Sequence, residues 1–265
     1  MPAFPLLLTL ALGGMGKAVE APEPASASAS VCFQPEIPPR GYFLRDRAGQ
    51  KTAILTGASV DVLRTALSRI GLNVDFRVDL PWKRCLALVE AGSVDFAMDA
   101  YFDTERARRF LYSQPYWRLT PQVYFLAKAP LAINGAADLK RYRGCGMGGW
   151  SYQHYGLATA DIDVGSFDFQ ALFKKLKAGR CQYVVEELEV VEGLKTLGDD
   201  FLADKDLAHG PVHGAVGPAT YLIACKDARH VALMNKLNEQ LAAMTQSGET
   251  MQIWKKYSQL SMPRP

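Results

Sequence analysis

Residues 88–99 read LVEAGSVDFAMD and residues 175–186 read KLKAGRCQYVVE. Each stretch has a helix that ends in Ala-Gly, a two-residue turn, an apolar strand, and an acid at the strand's end, Asp99 in one and Glu186 in the other. Glycine just past a helix is a common C-terminal stop. An apolar run bounded by such signals reads as a buried strand. The resemblance matters because of where each stretch lies in its surroundings.

Upstream of the first, SVCFQPE (30–36) reads as a strand, IPPRGYFLRDRAGQK (37–51) is rich in turn residues, and ASVDVLRTALSRIG (58–71) places Val60, Leu63, Ala66, Leu67 and Ile70 on one helical face. NVDFRVD (73–79) alternates as a strand, and PWKRCLALVEAG (81–92) is a helix with proline in its first turn. With VDFAMD (94–99) the order is strand, helix, strand, helix, strand, the signature of a parallel sheet.

The second stretch closes the same plan. GCGMGG (144–149) is a short strand entering a glycine-rich turn, SYQHYGLA (151–158) is expected to begin a helix, and DIDVGSF (161–167) is a strand. DFQALFKKLKAG (168–179) carries the core stripe Phe169, Leu172, Phe173 and Leu176, and CQYVVEE (181–187) is a strand. Two successive units with one plan predict two similar α/β lobes. QPYWRLTPQVYFLAK (114–128) reads as a strand with only a connecting role, and GPATYLIACK (217–226) is a second connecting strand. Two hinges are therefore expected, at Trp117–Thr120 and His213–Pro218. The helices in HVALMNKLNEQLAAMTQSG and ETMQIWKKYS return to the first lobe. The expected division is 1–30 leader, 31–118 first lobe, 119–214 second lobe, and 215–265 completing the first.

The leader rests on FPLLLTLALGGMG, an apolar run of signal-peptide length, followed by EPASASASV with Ala-x-Ala sites around Ala25 to Ala29. Its positive n-region is missing apart from the terminal amine. Setting aside Lys17, Glu20 and Glu23 leaves 29 basic and 25 acidic residues, a net charge of +4, too mild to imply nucleic acid. No other apolar run reaches 18 residues. An exported soluble protein is expected. The five cysteines fit no zinc-binding spacing, so neither a metal nor another cofactor is expected.

Cys145 and Cys181 each stand at the entry to a strand of the second lobe, and in a flavodoxin-like strand order those strands are neighbours. Adjacent strands lie about 4.8 Å apart, within disulfide reach at a favourable offset. A Cys145–Cys181 disulfide is expected, with Cys225 free and the pairing of Cys32 and Cys85 open.

Several motifs together resemble one family. They are Pro-Pro-x-Gly-Tyr at Pro38–Tyr42, LPWKRCLALVEAGSVDFAMDA, DTERARRFLYSQPYW, GGWSY before a helix, and LNEQLAAMTQSGETMQIWKKY. The chain resembles the type II periplasmic solute-binding proteins that supply polar amino acids to ABC transporters, from Val31 to Tyr257. That resemblance implies a two-lobed clamp in the periplasm. The clamp closes on one small amino acid-like molecule and delivers it, as a monomer, to a membrane permease.

The resemblance also implies roles. Arg106, the arginine of the family's Glu-Arg pair, would grip the ligand's α-carboxylate with its planar fork, leaving Arg108 and Arg109 on the outer face. Trp82 falls where the family keeps a stacking aromatic; as a residue it reads equally well as a helix-start core tryptophan. In GGWSY, Ser151 and the helix's free N–H groups would hold an anion from the second lobe, with Tyr152 beside them. A plain turn and helix cap is the alternative. Glu187 matches the acid for the ligand's amino group, or its neighbour Glu186 takes that part. Where the family puts small or hydroxyl residues, this chain has Met98, Asp99 and Tyr101. Asp99 either pairs with Arg106 or anchors a cationic group.

Cyclohexadienyl-type dehydratases share this fold, and they are the competing reading. Such an enzyme needs a tuned acid or base in the cleft. The candidates are Glu187, His154 and His213, and no pair of them has diagnostic spacing. Binding without catalysis is the expectation.

Overall fold

The computed structural model describes Met1 and residues 27–258. The paired stretches fold alike. Helix α2 (Trp82–Glu90) and helix α4 (Phe169–Lys177) each run out into a glycine with φ of +69°, Gly92 and Gly179. That left-handed conformation is costly for residues with a Cβ. Each turn feeds a buried strand, β5 (Phe96–Tyr101) or β11 (Tyr183–Glu187).

To place these two strands, the remaining elements are needed in chain order. They are β1 (Ser28–Cys32), β2 (Tyr42–Arg45), β3 (Lys51–Thr56), α1 (Ala58–Arg69), β4 (Asn73–Arg77), α3 (Thr104–Arg109), β6 (Phe110–Tyr112), β7 (Trp117–Arg118) and β8 (Pro121–Leu126). Then follow β9 (Gly144–Met147), β10 (Ile162–Ser166), α5 (Leu188–Gly193), β12 (Leu207–Pro211), β13 (Ala219–Cys225), α6 (Ala228–Gln246) and α7 (Glu249–Lys255). One sheet has the order β4-β1-β5-β13-β6, with β7 also paired to β13; the other is β10-β9-β11-β8-β12. Pairs among β1, β4 and β5, and among β9, β10 and β11, are parallel, while β13 and β8 run antiparallel to their neighbours. This is the two-lobed α/β architecture expected. The chain passes between the sheets twice, between β7 and β8 and between β12 and β13.

Each sheet is covered on both faces, as parallel strands require. In the first, α1, α6 and α7 bury Leu63, Leu67, Leu237, Leu241 and Trp254 on one side, while Cys85 and Val89 of α2 pack on the other. Trp254 stacks on Trp117 with ring centroids 4.6 Å apart, which holds the C-terminal helix to the crossing strand. In the second, the stripe Phe169, Leu172, Phe173 and Leu176 covers one face, as its helical spacing foretold.

Four expectations change. The stretch 114–128 is more than a connector, because β8 is a buried strand between β11 and β12. SYQHYGLA forms no α-helix; a single 3₁₀ turn, Gln153–Tyr155, occupies it, because Tyr155 and Leu157 turn into the core. The turn-rich 37–51 contains the hairpin strand β2, which pairs with β3. Finally, β1 begins at Ser28, three residues inside the stretch assigned to a leader. Ser30 is held there by Asp95, whose Oδ2 accepts its N–H and its hydroxyl at 2.8 Å each. Most of the expected signal peptide, residues 2–26, lies outside the described residues. Among the described residues no helix is long and apolar enough to cross a membrane.

Cys145 and Cys181 form the expected disulfide, their Cα atoms 5.8 Å apart, because β9 and β11 are indeed neighbours. Cys32 and Cys85 form a second, also with Cα atoms 5.8 Å apart, which ties β1 to α2. Cys225 is free.

Candidate functional site

The carboxyl ends of β5 and β11 face one another, and the site is built from what they carry. At the end of β5, Asp99 has φ of 59°, a left-handed conformation rare outside glycine and tolerated best by Asn and Asp. The bend is held on both sides. The Tyr116 hydroxyl accepts the Asp99 N–H at 2.8 Å and donates to Asp99 Oδ1 at 2.7 Å, and Ser59 at the start of α1 donates to the same oxygen at 2.7 Å. Among the described residues Asp99 has no bond to Arg106.

Arg106 lies in the short helix α3, which Asp103 caps by accepting the Arg106 N–H at 3.0 Å. The guanidinium donates to the Tyr101 carbonyl at 3.1 Å and stands 5.7 Å from the Trp82 ring. Arg108 and Arg109 face outward, in exposed pairs with Glu105 and Glu90.

Arg40 was not among the expected site residues. Its N–H donates to the Ile37 carbonyl at 3.0 Å, and its own carbonyl accepts from Ser59 N–H at 3.0 Å, so the first turn of α1 fixes its backbone. The side chain is 3 % exposed. Its carbon Cζ lies 5.6 Å from the Tyr101 ring and 5.4 Å from the Trp150 ring, and Nη1 donates to the Tyr101 hydroxyl at 3.2 Å. The one available signal was that Arg40 fills the open position of the Pro-Pro-x-Gly-Tyr motif.

From here a polar chain crosses between the lobes. The Tyr101 hydroxyl donates to Glu187 Oε2 at 2.6 Å, and Glu187 Oε1 meets His154 Nε2 at 2.9 Å and the Tyr155 hydroxyl at 3.3 Å. Glu187 and Glu186 are both 1 % exposed. Burial and then the Glu187 charge push the Glu186 carboxyl well above the usual range. Burial alone would raise Glu187 too, but bonds from Glu186, His154 and Tyr101 outweigh it and hold Glu187 down at about 2. Glu187 is thus the more acidic member, and Glu186 holds its proton to higher pH. Burial opposes the charge on Arg40, but Tyr101, Asp99, Glu186 and Glu187 outweigh that cost and raise its pKa.

Two more contacts join the lobes. The Ser151 hydroxyl donates to Asp103 Oδ2 at 2.9 Å, and the Thr104 N–H donates to Gln153 Oε1 at 3.3 Å. Ser151 therefore meets an acid of the first lobe. The helix N-terminus expected after GGWSY is absent, because that segment forms only the 3₁₀ turn. Between the lobes lies a cavity of about 40 Å³, lined by Arg40, Trp82, Asp99, Tyr101, Arg106, Ser151 and five further residues. Tyr152 does not line it. Its ring packs in the second lobe's core against Gly146, and its hydroxyl accepts the Met147 N–H at 2.5 Å. Glu187 reaches the cavity only through Tyr101. His213 is exposed at the crossing, where its carbonyl accepts the Ala136 N–H.

The architecture is shared widely. An ancestral arginine-binding protein bound to arginine superposes with a TM-score of 0.67 at 22% identity, covering 87% of this chain and 98% of that one. A histidine kinase sensor domain with similarity to periplasmic binding proteins gives 0.68 at 20% identity, covering 90% and 98%. A structure from work on glutathione import through GshT and the cystine importer TcyBC of Streptococcus mutans gives 0.70 at 16% identity, covering 88% and 95%. At such identities the likeness is one of fold. Comparison with curated proteins gives no match. The family model of bacterial extracellular solute-binding proteins, family 3, matches residues 30–259. With nearly the whole described chain inside that match, this protein belongs to the bacterial extracellular solute-binding proteins, family 3.

Proposed function

We propose that this protein captures an amino acid or a similar small polar molecule in the periplasm and delivers it to the permease of an ABC transporter. The observation that carries this is an inter-lobe cavity with opposite charges, Arg106 and Asp99, on one wall. Arg106 takes the ligand's carboxylate in two parallel hydrogen bonds. Asp99, whose Oδ1 is occupied by Ser59 and Tyr116, takes the ammonium through its other oxygen. Trp82 stacks on the ligand's flat side, and Ser151 closes over it from the second lobe, while Glu187 braces the closed cleft from behind Tyr101.

About 40 Å³ suits water rather than an amino acid. Entry therefore requires the lobes 31–118 with 215–265 and 119–214 to part. They pivot at Trp117–Thr120 and His213–Pro218 and break the Tyr101–Glu187 and Ser151–Asp103 bonds. This motion is the hinge closure of two-domain binding proteins. It needs no second copy, so the protein works as a monomer, exported through its N-terminal leader. Fold neighbours described as amino acid-binding proteins favour this reading over the dehydratase.

Mass spectrometry of small molecules released by denaturing the purified protein tests the reading. An amino acid or close analogue in the released fraction, with a radius of gyration that falls on its return, is the expected result. Release of no such molecule, together with scattering unchanged across an amino acid panel, would refute it.

A further inference from the structure

The cleft acids are not equally available to a ligand. Both oxygens of Glu187 are engaged by neighbours, and neither Glu186 nor Glu187 lines the cavity. The charged side chains that do line it are two guanidiniums, Arg40 and Arg106, and one carboxylate, Asp99. A ligand with one carboxylate and one ammonium satisfies Arg106 and Asp99 and leaves the second guanidinium over.

That guanidinium is Arg40, and it has capacity to spare. Arginine carries five N–H donors in a rigid fork. Among the described residues the side chain of Arg40 makes one hydrogen bond, to Tyr101, and its buried Nε has no partner. The acids around it act on its charge without bonding it. Its backbone is pinned to the start of α1, which fixes where the side chain leaves the chain. The Tyr101 and Trp150 rings hold the guanidinium on the cavity wall.

We propose that Arg40 is a specificity-determining residue that selects a ligand with a second anionic group, so that the captured amino acid is an acidic one, with a side-chain carboxylate on Arg40. This rests on the amino acid reading above and narrows it. Glu187 offsets the Arg40 charge only from behind Tyr101, so the unused N–H groups of the fork are satisfied directly only by a second negative group on the ligand.

Titration calorimetry of the full chain against L-glutamate, L-glutamine, L-aspartate, L-asparagine and L-arginine tests it. One acidic amino acid should bind more tightly than its amide by about tenfold or more, because the amide leaves a buried charge unpaired. Arg40→Gln should bring that ratio close to one while leaving some affinity for the amide, and Arg40→Lys should keep part of the preference. If Arg40→Gln does not fold, the acid-to-amide ratio of the wild-type protein decides alone. Glutamine, asparagine or arginine binding as tightly as the acids would overturn this proposal and leave amino acid capture standing. Preference for an acid that persists undiminished in Arg40→Gln would also overturn it. If none of the five binds, this proposal falls, and the released-molecule and scattering test above decides the amino acid reading separately.

Discussion

Replacing Arg106 by alanine should separate binding from folding. In the protein alone, the guanidinium donates to the Tyr101 carbonyl at 3.1 Å and lies 5.7 Å from the Trp82 ring. A carbonyl hydrogen bond contributes about 1 kcal/mol net and a partly exposed cation–π contact about 0.5–1 kcal/mol, so Arg106→Ala should cost about 1–2 kcal/mol of stability. With ligand bound, the same change leaves a buried carboxylate without its partner, which typically costs about 2–5 kcal/mol. Affinity should then fall by about thirtyfold to several thousandfold. Arg106→Lys keeps the charge and loses the fork, so it recovers only part of the loss. Arg108→Ala and Arg109→Ala break the exposed pairs with Glu105 and Glu90 and should leave affinity unchanged. Calorimetry with the tightest-binding member of an amino acid panel, beside thermal unfolding of each variant, measures both quantities. Arg106→Ala binding as tightly as Arg108→Ala would show that the arginine only braces α3 against β5.

The proton assignment in the glutamate pair makes two variants behave in opposite ways. Glu187, held below its ordinary value of 4.5, contributes stability that is complete above that value and lost as pH falls from there toward 2. Glu186 is raised, so its contribution is complete at low pH and lost as pH rises from 4.5 through its folded value. At pH 7, Glu187→Gln should cost about 3 kcal/mol in urea unfolding, whereas Glu186→Gln, which mimics the protonated acid, should cost nothing or stabilise; the reverse order would refute the assignment. Gly193 of α5 faces the Ile37–Gly41 loop, and a Cβ there would clash with the Pro38 carbonyl oxygen. Gly193→Ala should therefore hold the lobes ajar, with a larger radius of gyration and weaker binding, while the helix itself gains from alanine; wild-type scattering and affinity would contradict this. The Cys145–Cys181 bond closes a loop with a sequence separation of 36, so replacing both cysteines by serine should remove up to about 4 kcal/mol in a denaturant titration. Non-reducing peptide mapping should find Cys225 alkylated and the other four cysteines protected, and recovery of alkylated Cys145 and Cys181 would exclude that disulfide.

The local pattern of the sequence determined the repeated unit. Helix faces such as Val60, Leu63 and Leu67, the Ala-Gly stops at Gly92 and Gly179, and the apolar strands that follow are all written within a dozen residues. Short crossovers between parallel strands then restrict neighbour order, and this made the Cys145–Cys181 pairing legible in the sequence. The Cys32–Cys85 pairing was not, because it depends on how α2 is rotated over β1. Nor did periodicity indicate that SYQHYGLA would send Tyr152 and Tyr155 into the core and leave Ser151 facing Asp103. Arg40 sits in a turn-rich segment with no repeat to give its side chain a direction. Its place in the cleft is set by contact with Tyr101, 61 residues away, and that of Tyr101 by contact with Glu187, 86 residues away. Backbone hydrogen bonding and hydrophobic spacing act locally and can be read along the chain. The direction of a polar side chain between two lobes is fixed only when distant segments pack and exclude water around it.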